Sequence, residues 1–131
     1  MRRRSLEREV VDLYLKYTIG ASGAPTAVSG HTKGAASLAV TSPGVYVLTL
    51  TDAYRALLDF SVKVLRPTLD ATNLQASLLA EAVATVGTQT VSFTMTKATS
   101  GSPNVFPMVA ADPTSGDVLL IHLALSNTDI P

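Results

Sequence analysis

The sequence predicts a single all-β domain, a β-sandwich or jelly roll of about seven or eight strands with one short helical turn and an N-terminal arm. Three observations predict it. Short apolar segments alternate with polar residues at the two-residue period of a strand, most cleanly at Val91, Phe93 and Met95 and at Phe60, Val62 and Val64. Turn signals rich in Gly and Pro separate these segments at short intervals. The chain has 131 residues, 47% of them hydrophobic and none of them cysteine, enough for one core without disulfides or metals.

The elements follow in order. Residues 1–12 concentrate charge: Arg2, Arg3, Arg4, Glu7, Arg8, Glu9 and Asp12. Leu6, Val10 and Leu13 fall at i, i+4 and i+7, one face of a helix; an extended arm fits the same residues. The folded domain is then residues 13–131, beginning with a strand over 13–19. Residues 20–30 contain three Gly and one Pro among small side chains. Nothing there can fill a core, so the segment reads as an exposed loop. A hairpin follows, with strands over 35–41 and 45–50 joined by Ser42-Pro43-Gly44, where Pro presets φ and Gly tolerates positive φ.

Thr51 or Asp52 can cap a short helical turn, which would point Tyr54, Leu57 and Leu58 at the core. Residues 60–64 form a half-buried strand that ends at Arg66-Pro67. Residues 68–75 are polar and loop-like. Residues 77–85 are rich in Ala and Leu, which favours helix, whereas their length and position favour a strand; the strand is preferred. Val86-Gly87-Thr88 makes a tight turn into the strand over 90–96. Residues 97–116 are irregular, with three prolines and a turn at Asp112-Pro113. The near-continuous apolar run over 118–126 predicts a strand buried on both faces.

Charged residues make up only 15% of the chain, ten basic and ten acidic, against roughly 25% in ordinary soluble domains. A weakly charged surface favours association and suits a subunit covered by neighbours, since interface cores are depleted in charge. No apolar stretch reaches the length of a membrane span, and the basic start lacks the apolar run of a secretory signal, so no membrane partner is expected. With zero net charge and no Trp, nucleic acid is not an expected partner either.

Catalytic, metal and cofactor sites are not expected. His31 and His122 are far apart and carry no metal-ligand spacing. His31 lies in the small-residue loop as a solvated side chain, and His122 reads as a hydrogen-bonded core or interface histidine. Asp52 and Asp59 are seven apart, but a cap and a strand-edge charge explain them better than paired catalytic carboxylates. No Ser sits in a nucleophile elbow, and Gly20 and Gly23 match neither a phosphate loop nor a dinucleotide fingerprint.

Several segments, in order along the chain, resemble a group of small phage virion proteins. They are Leu6-Glu7-Arg8-Glu9-Val10-Val11-Asp12-Leu13, Ile19-Gly20-Ala21-Ser22-Gly23-Ala24-Pro25, the block from Pro43 to Tyr54 followed by Leu57-Leu58, and Ala111-Asp112-Pro113-Thr114-Ser115-Gly116 with the strand after it. The resemblance implies a capsid decoration or cement protein of sandwich or jelly-roll fold. Such a protein would be a homo-oligomer, trimer or dimer, seated on the capsid exterior across joints of the major capsid protein and assembled in the host cytoplasm. It implies no catalytic residue and no cofactor. The expected contact residues are Arg2, Arg3, Arg4 and Arg8 of the arm, Ser22, Pro25 and His31 of the first loop, and Pro103 and Phe106 of the loop over 100–107. The alternatives are a tail, head-fibre or baseplate β-module, or a glycan-binding sandwich on the virion surface using Tyr14 or Tyr17.

Overall fold

A computed structural model describes residues 10–66, 74–98, 108–113 and 115–126. Nine strands form in chain order: β1 (Val10–Ile19), β2 (Pro25–Ala27), β3 (Ala35–Ser42), β4 (Val45–Leu50), β5 (Ala56–Leu65), β6 (Leu74–Glu81), β7 (Thr90–Ala98), β8 (Met108–Ala110) and β9 (Val118–Ser126). They make two antiparallel sheets. The first has the order β2-β1-β9-β5; the second has the order β3-β4-β7-β6, with β8 also paired to β7. The chain is therefore an all-β sandwich, as the alternation predicts.

Strand periodicity places the core between the sheets. In the first sheet, rungs of apolar side chains cross three strands. Leu13, Leu123 and Phe60 share one rung; Leu15, Ile121 and Val62 the next; Tyr17, Leu119 and Val64 a third. In the second sheet Tyr46 pairs with Phe93 and Leu48 with Val91. The six strand residues Tyr46, Leu48, Leu119, Val91, Phe93 and Leu123 are all fully buried. The Tyr46 and Phe93 rings stack at 5.4 Å, and Phe60 reaches across from the other sheet to within 5.5 Å of Phe93. Each fully buried side chain of this size contributes about 1.5–3 kcal/mol of transfer free energy.

Two hairpins, β3–β4 and β6–β7, lie side by side in the second sheet because β4 pairs with β7. The chain crosses between sheets after β2, β4, β5 and β8. The neighbour relations are those of a constant-type immunoglobulin sandwich entered one strand earlier: β3, β4, β7 and β6 correspond to its four-stranded sheet, and β5, β9 and β1 to its three-stranded one. This order selects the sandwich over the jelly roll. It also pairs the first long strand with the last, so Val10 stands opposite Ser126.

Polar pins close one end of the sandwich. The Tyr46 hydroxyl donates to the Gly23 carbonyl at 2.8 Å, and the Gly44 N–H donates to Asp112 Oδ1 at 2.8 Å. Burial, reinforced by the Asp112 carboxylate, holds the Tyr46 phenol far above its ordinary pKa. Arg66 Nε bonds the largely buried Asp117 carboxylate at 3.1 Å. The Asp117 carbonyl in turn accepts the Ile19 N–H at 2.8 Å.

Several expectations need correction. β1 begins at Val10, so residues 10–12 belong to the sheet rather than to an arm, and Val10 and Leu13 do not share a helical face. The expected helical turn over 51–58 is absent: Ala56 already starts β5, and Leu58 is the extra residue of a bulge between Leu57 and Asp59. That bulge lets Leu57 and Phe60 both turn inward and leaves Leu58 exposed. The one helical turn among the described residues is a 3-10 turn at Ala21–Gly23. The loop over 20–30 is not wholly exposed, because Pro25–Ala27 pairs with β1 and Gly23 is buried under Tyr46. β6 starts three residues before the expected strand and ends at Glu81. β9 is buried on one face only; the outward Leu120 is 38% exposed. The arm over 1–9 and the loop over 100–107 lie outside the described residues.

Candidate functional site

Among the described residues, the outer face of the first sheet carries a concentration of interacting polar groups. Side chains that alternate with the core residues point outward, and register aligns them across β1, β9 and β5. One rung is Asp12, Ala124 and Asp59; the next is Tyr14, His122 and Ser61; the third is Lys16, Leu120 and Lys63; the fourth is Thr18, Val118 and Leu65. The face thus runs from an acidic rung through an aromatic one to a basic one, with an uncharged rung beyond it.

His122 sits at its centre. Its ring stacks on Tyr14 with centroids 4.6 Å apart and planes 20° from parallel. Nε2 lies 3.1 Å from Asp12 Oδ1, and Nδ1 lies 4.0 Å from Asp59 Oδ2. The histidine thereby links all three strands through side chains on a solvent face. Tyr14 remains 71% exposed. A groove of about 420 Å³ runs over the basic half, floored by Leu120 and His122 and walled by Tyr14, Lys16 and His31 on one side and Ser61 and Lys63 on the other. The backbone carbonyl of His31 accepts the Lys16 N–H at 2.8 Å, which ties the loop that carries this histidine to β1 just beyond its pairing with β2.

Ser61 lies across from His122, but both imidazole nitrogens face carboxylates, so Asp12, His122 and Ser61 are not set as a nucleophilic triad. Among the described residues no three His, Asp or Glu side chains form a group that could hold a metal ion, and no helix is long and apolar enough to cross a membrane.

No protein-family model, curated protein or solved structure matches this chain.

Of the expected contact residues, the structure brings only His31 to this face. Pro25 is half-buried at the start of β2, and the Ser22 backbone lies in the 3-10 turn. Arg2, Arg3, Arg4, Arg8, Pro103 and Phe106 lie outside the described residues. His122, expected as a hydrogen-bonded core or interface histidine, is hydrogen-bonded and lies on the outer face, not in the core. Tyr17 is 3% exposed in the core, and burial raises its phenol pKa, so it offers no surface to a glycan. Tyr14, Asp12, Lys16 and Lys63 were missed as a set, since their juxtaposition depends on pairing between strands distant in sequence.

A second surface stands out for its exposed leucines. β5 and β6 are the edge strands of the two sheets and lie on the same side of the sandwich. Leu58 and Leu78 line a groove at their seam, and Leu58, Leu78 and Leu79 are 39%, 49% and 58% exposed. Within Leu74–Glu81 the only charged residue is Glu81.

Proposed function

We propose that this chain is a virion structural protein of the capsid decoration or cement type, which binds across joints of the major capsid protein and stabilises the shell. The observation that carries the reading is the β5/β6 side. Natural sheets protect exposed edges with charge, bulges or cover. Here both edge strands carry one bulge, at Leu58 and Leu79, yet the leucines at and beside those bulges stay exposed and β6 has a single charge, at its end. A contiguous apolar edge of this kind marks a surface that a partner covers. The low charge of the whole chain and the ordered resemblance to small phage virion proteins support the same reading. Many modest contacts repeated over a shell would add by avidity, so no single deep pocket is required.

Binding of the purified protein to mature, undecorated capsids tests this. Saturable binding at a fixed ratio to the major capsid protein is expected, and a Leu78→Lys/Leu79→Lys variant that melts like the parent should lose it. Failure of the parent to bind mature shells would overturn the reading. A tail, head-fibre or baseplate role would show instead as binding to tail preparations.

A further inference from the structure

We propose that the outer face of the first sheet is a self-complementary surface on which two copies of this chain pack as a two-fold dimer. The charges across this face carry the inference. Asp12 and Asp59 occupy one rung and Lys16 and Lys63 another, each pair flanking the central strand β9. The two rungs are four residues apart along β1, about 13 Å at strand rise. Halfway between them lies the rung of Tyr14, His122 and Ser61. A two-fold axis in the plane of the interface, perpendicular to the strands and passing over this middle rung, carries each acidic rung onto the other copy's basic rung. Asp12 then meets Lys16 of the second copy, Asp59 meets its Lys63, and both contacts occur twice. Such reciprocity is what an isologous interface requires.

Size and shape agree. Tyr14, 71% exposed, lies on the axis and faces its own counterpart, where two aromatic rings can stack. The groove walled by Lys16 and Lys63 is open on the outer face, and His31 adds a further polar group at the basic end. It receives the acidic rung of the second copy, whose middle residue is the small Ala124. β1, β5 and β9 run ten, ten and nine residues, about 30 Å, and three strands span about 14 Å; β2 adds three residues at one end. The face is therefore roughly 450 Å² per copy, in the range of weak, transient contacts. Association is accordingly weak, concentration-dependent and sensitive to salt. A parallel overlay, with the axis along the strands, would stack acid on acid and is disfavoured. The association requires no capsid, so its failure leaves the cement reading standing, and the reverse holds too.

Sedimentation of the purified protein across a concentration and salt series tests it. The parent should move from a 13.7 kDa monomer toward twice that mass as concentration rises, and back as salt rises. The Asp12→Lys/Asp59→Lys and Lys16→Asp/Lys63→Asp variants should each weaken self-association by more than about tenfold. Mixed together, they should associate again, since one face is then wholly basic and the other wholly acidic. Tyr14→Arg places like charges on the axis and should give a monomer; it alters one exposed side chain and decides the matter even if a charge-reversed chain fails to fold. A parent that stays monomeric to millimolar concentration, or charge-reversed variants that self-associate as the parent does, would overturn the proposal.

Discussion

Gly44 and Gly87 offer a matched pair of substitutions that separates backbone conformation from packing. Both have positive φ, 75° and 92°. Gly44 sits in the two-residue turn between β3 and β4, and Gly87 in the turn between β6 and β7. A Cβ at Gly87 meets nothing within 4 Å, whereas a Cβ at Gly44 would lie 2.7 Å from the Met95 carbonyl oxygen and 3.0 Å from the Ala111 nitrogen. Those are backbone atoms already committed: Met95 N–H donates to the Gly44 carbonyl at 2.6 Å, and Ala111 N–H donates to the Met95 carbonyl at 3.0 Å. They cannot yield without disturbing the join between β4, β7 and β8. Alanine in the left-handed region costs about 1 kcal/mol at either site. Overpacking against fixed backbone adds about 1–3 kcal/mol at Gly44 only. Urea unfolding should therefore show a loss of about 1 kcal/mol for Gly87→Ala and about 2–4 kcal/mol for Gly44→Ala, the latter lowering Tm by about 8–16 °C. Equal losses from the two substitutions would refute the close approach of β7 to the β3–β4 turn.

Phe93→Ala removes the ring that joins Tyr46 in its own sheet to Phe60 in the other; it should cost about 3–5 kcal/mol, read by the same unfolding assay, and a loss under about 1 kcal/mol would contradict this packing. Stability should also fall as pH rises past the ordinary tyrosine range. Tyr17, Tyr46 and Tyr54 all have folded-state pKa values raised chiefly by burial, so the unfolded chain loses these protons first; their contribution is complete below about pH 10 and declines above it. Tyr46→Phe should flatten that decline while costing about 1–2 kcal/mol at neutral pH through the orphaned Gly23 carbonyl, checked by urea unfolding across pH 8 to pH 11.

The sheet core was legible because period-two alternation survives wherever outward residues are polar. β7 has Thr and Ser outward, and its inner residues Val91, Phe93 and Met95 are buried as the alternation predicts. β9 defeated the same rule, since its outward Leu120 and Ala124 are apolar and the strand looked buried on both faces. The pair Leu57-Leu58 looked helical because a bulge breaks alternation locally, and a bulge is fixed by the partner strand, not by the bulged one. β2 consists of small residues with no apolar face; pairing with β1 holds it. The outer-face cluster was hidden for a topological reason. His122 meets an aspartate 110 positions away, and no spacing rule along the chain anticipates a contact made by the first and last strands lying side by side. The two exposed leucines on β6 were visible as residues, but their significance depends on β6 being an edge strand.

A cryo-EM reconstruction of the mature particle, with this chain located and its copies counted, tests the cement reading most directly. Regular density over the joints between major capsid subunits, with the β5/β6 side against the shell, is the expected result. Density confined to the tail or to a single vertex would contradict it.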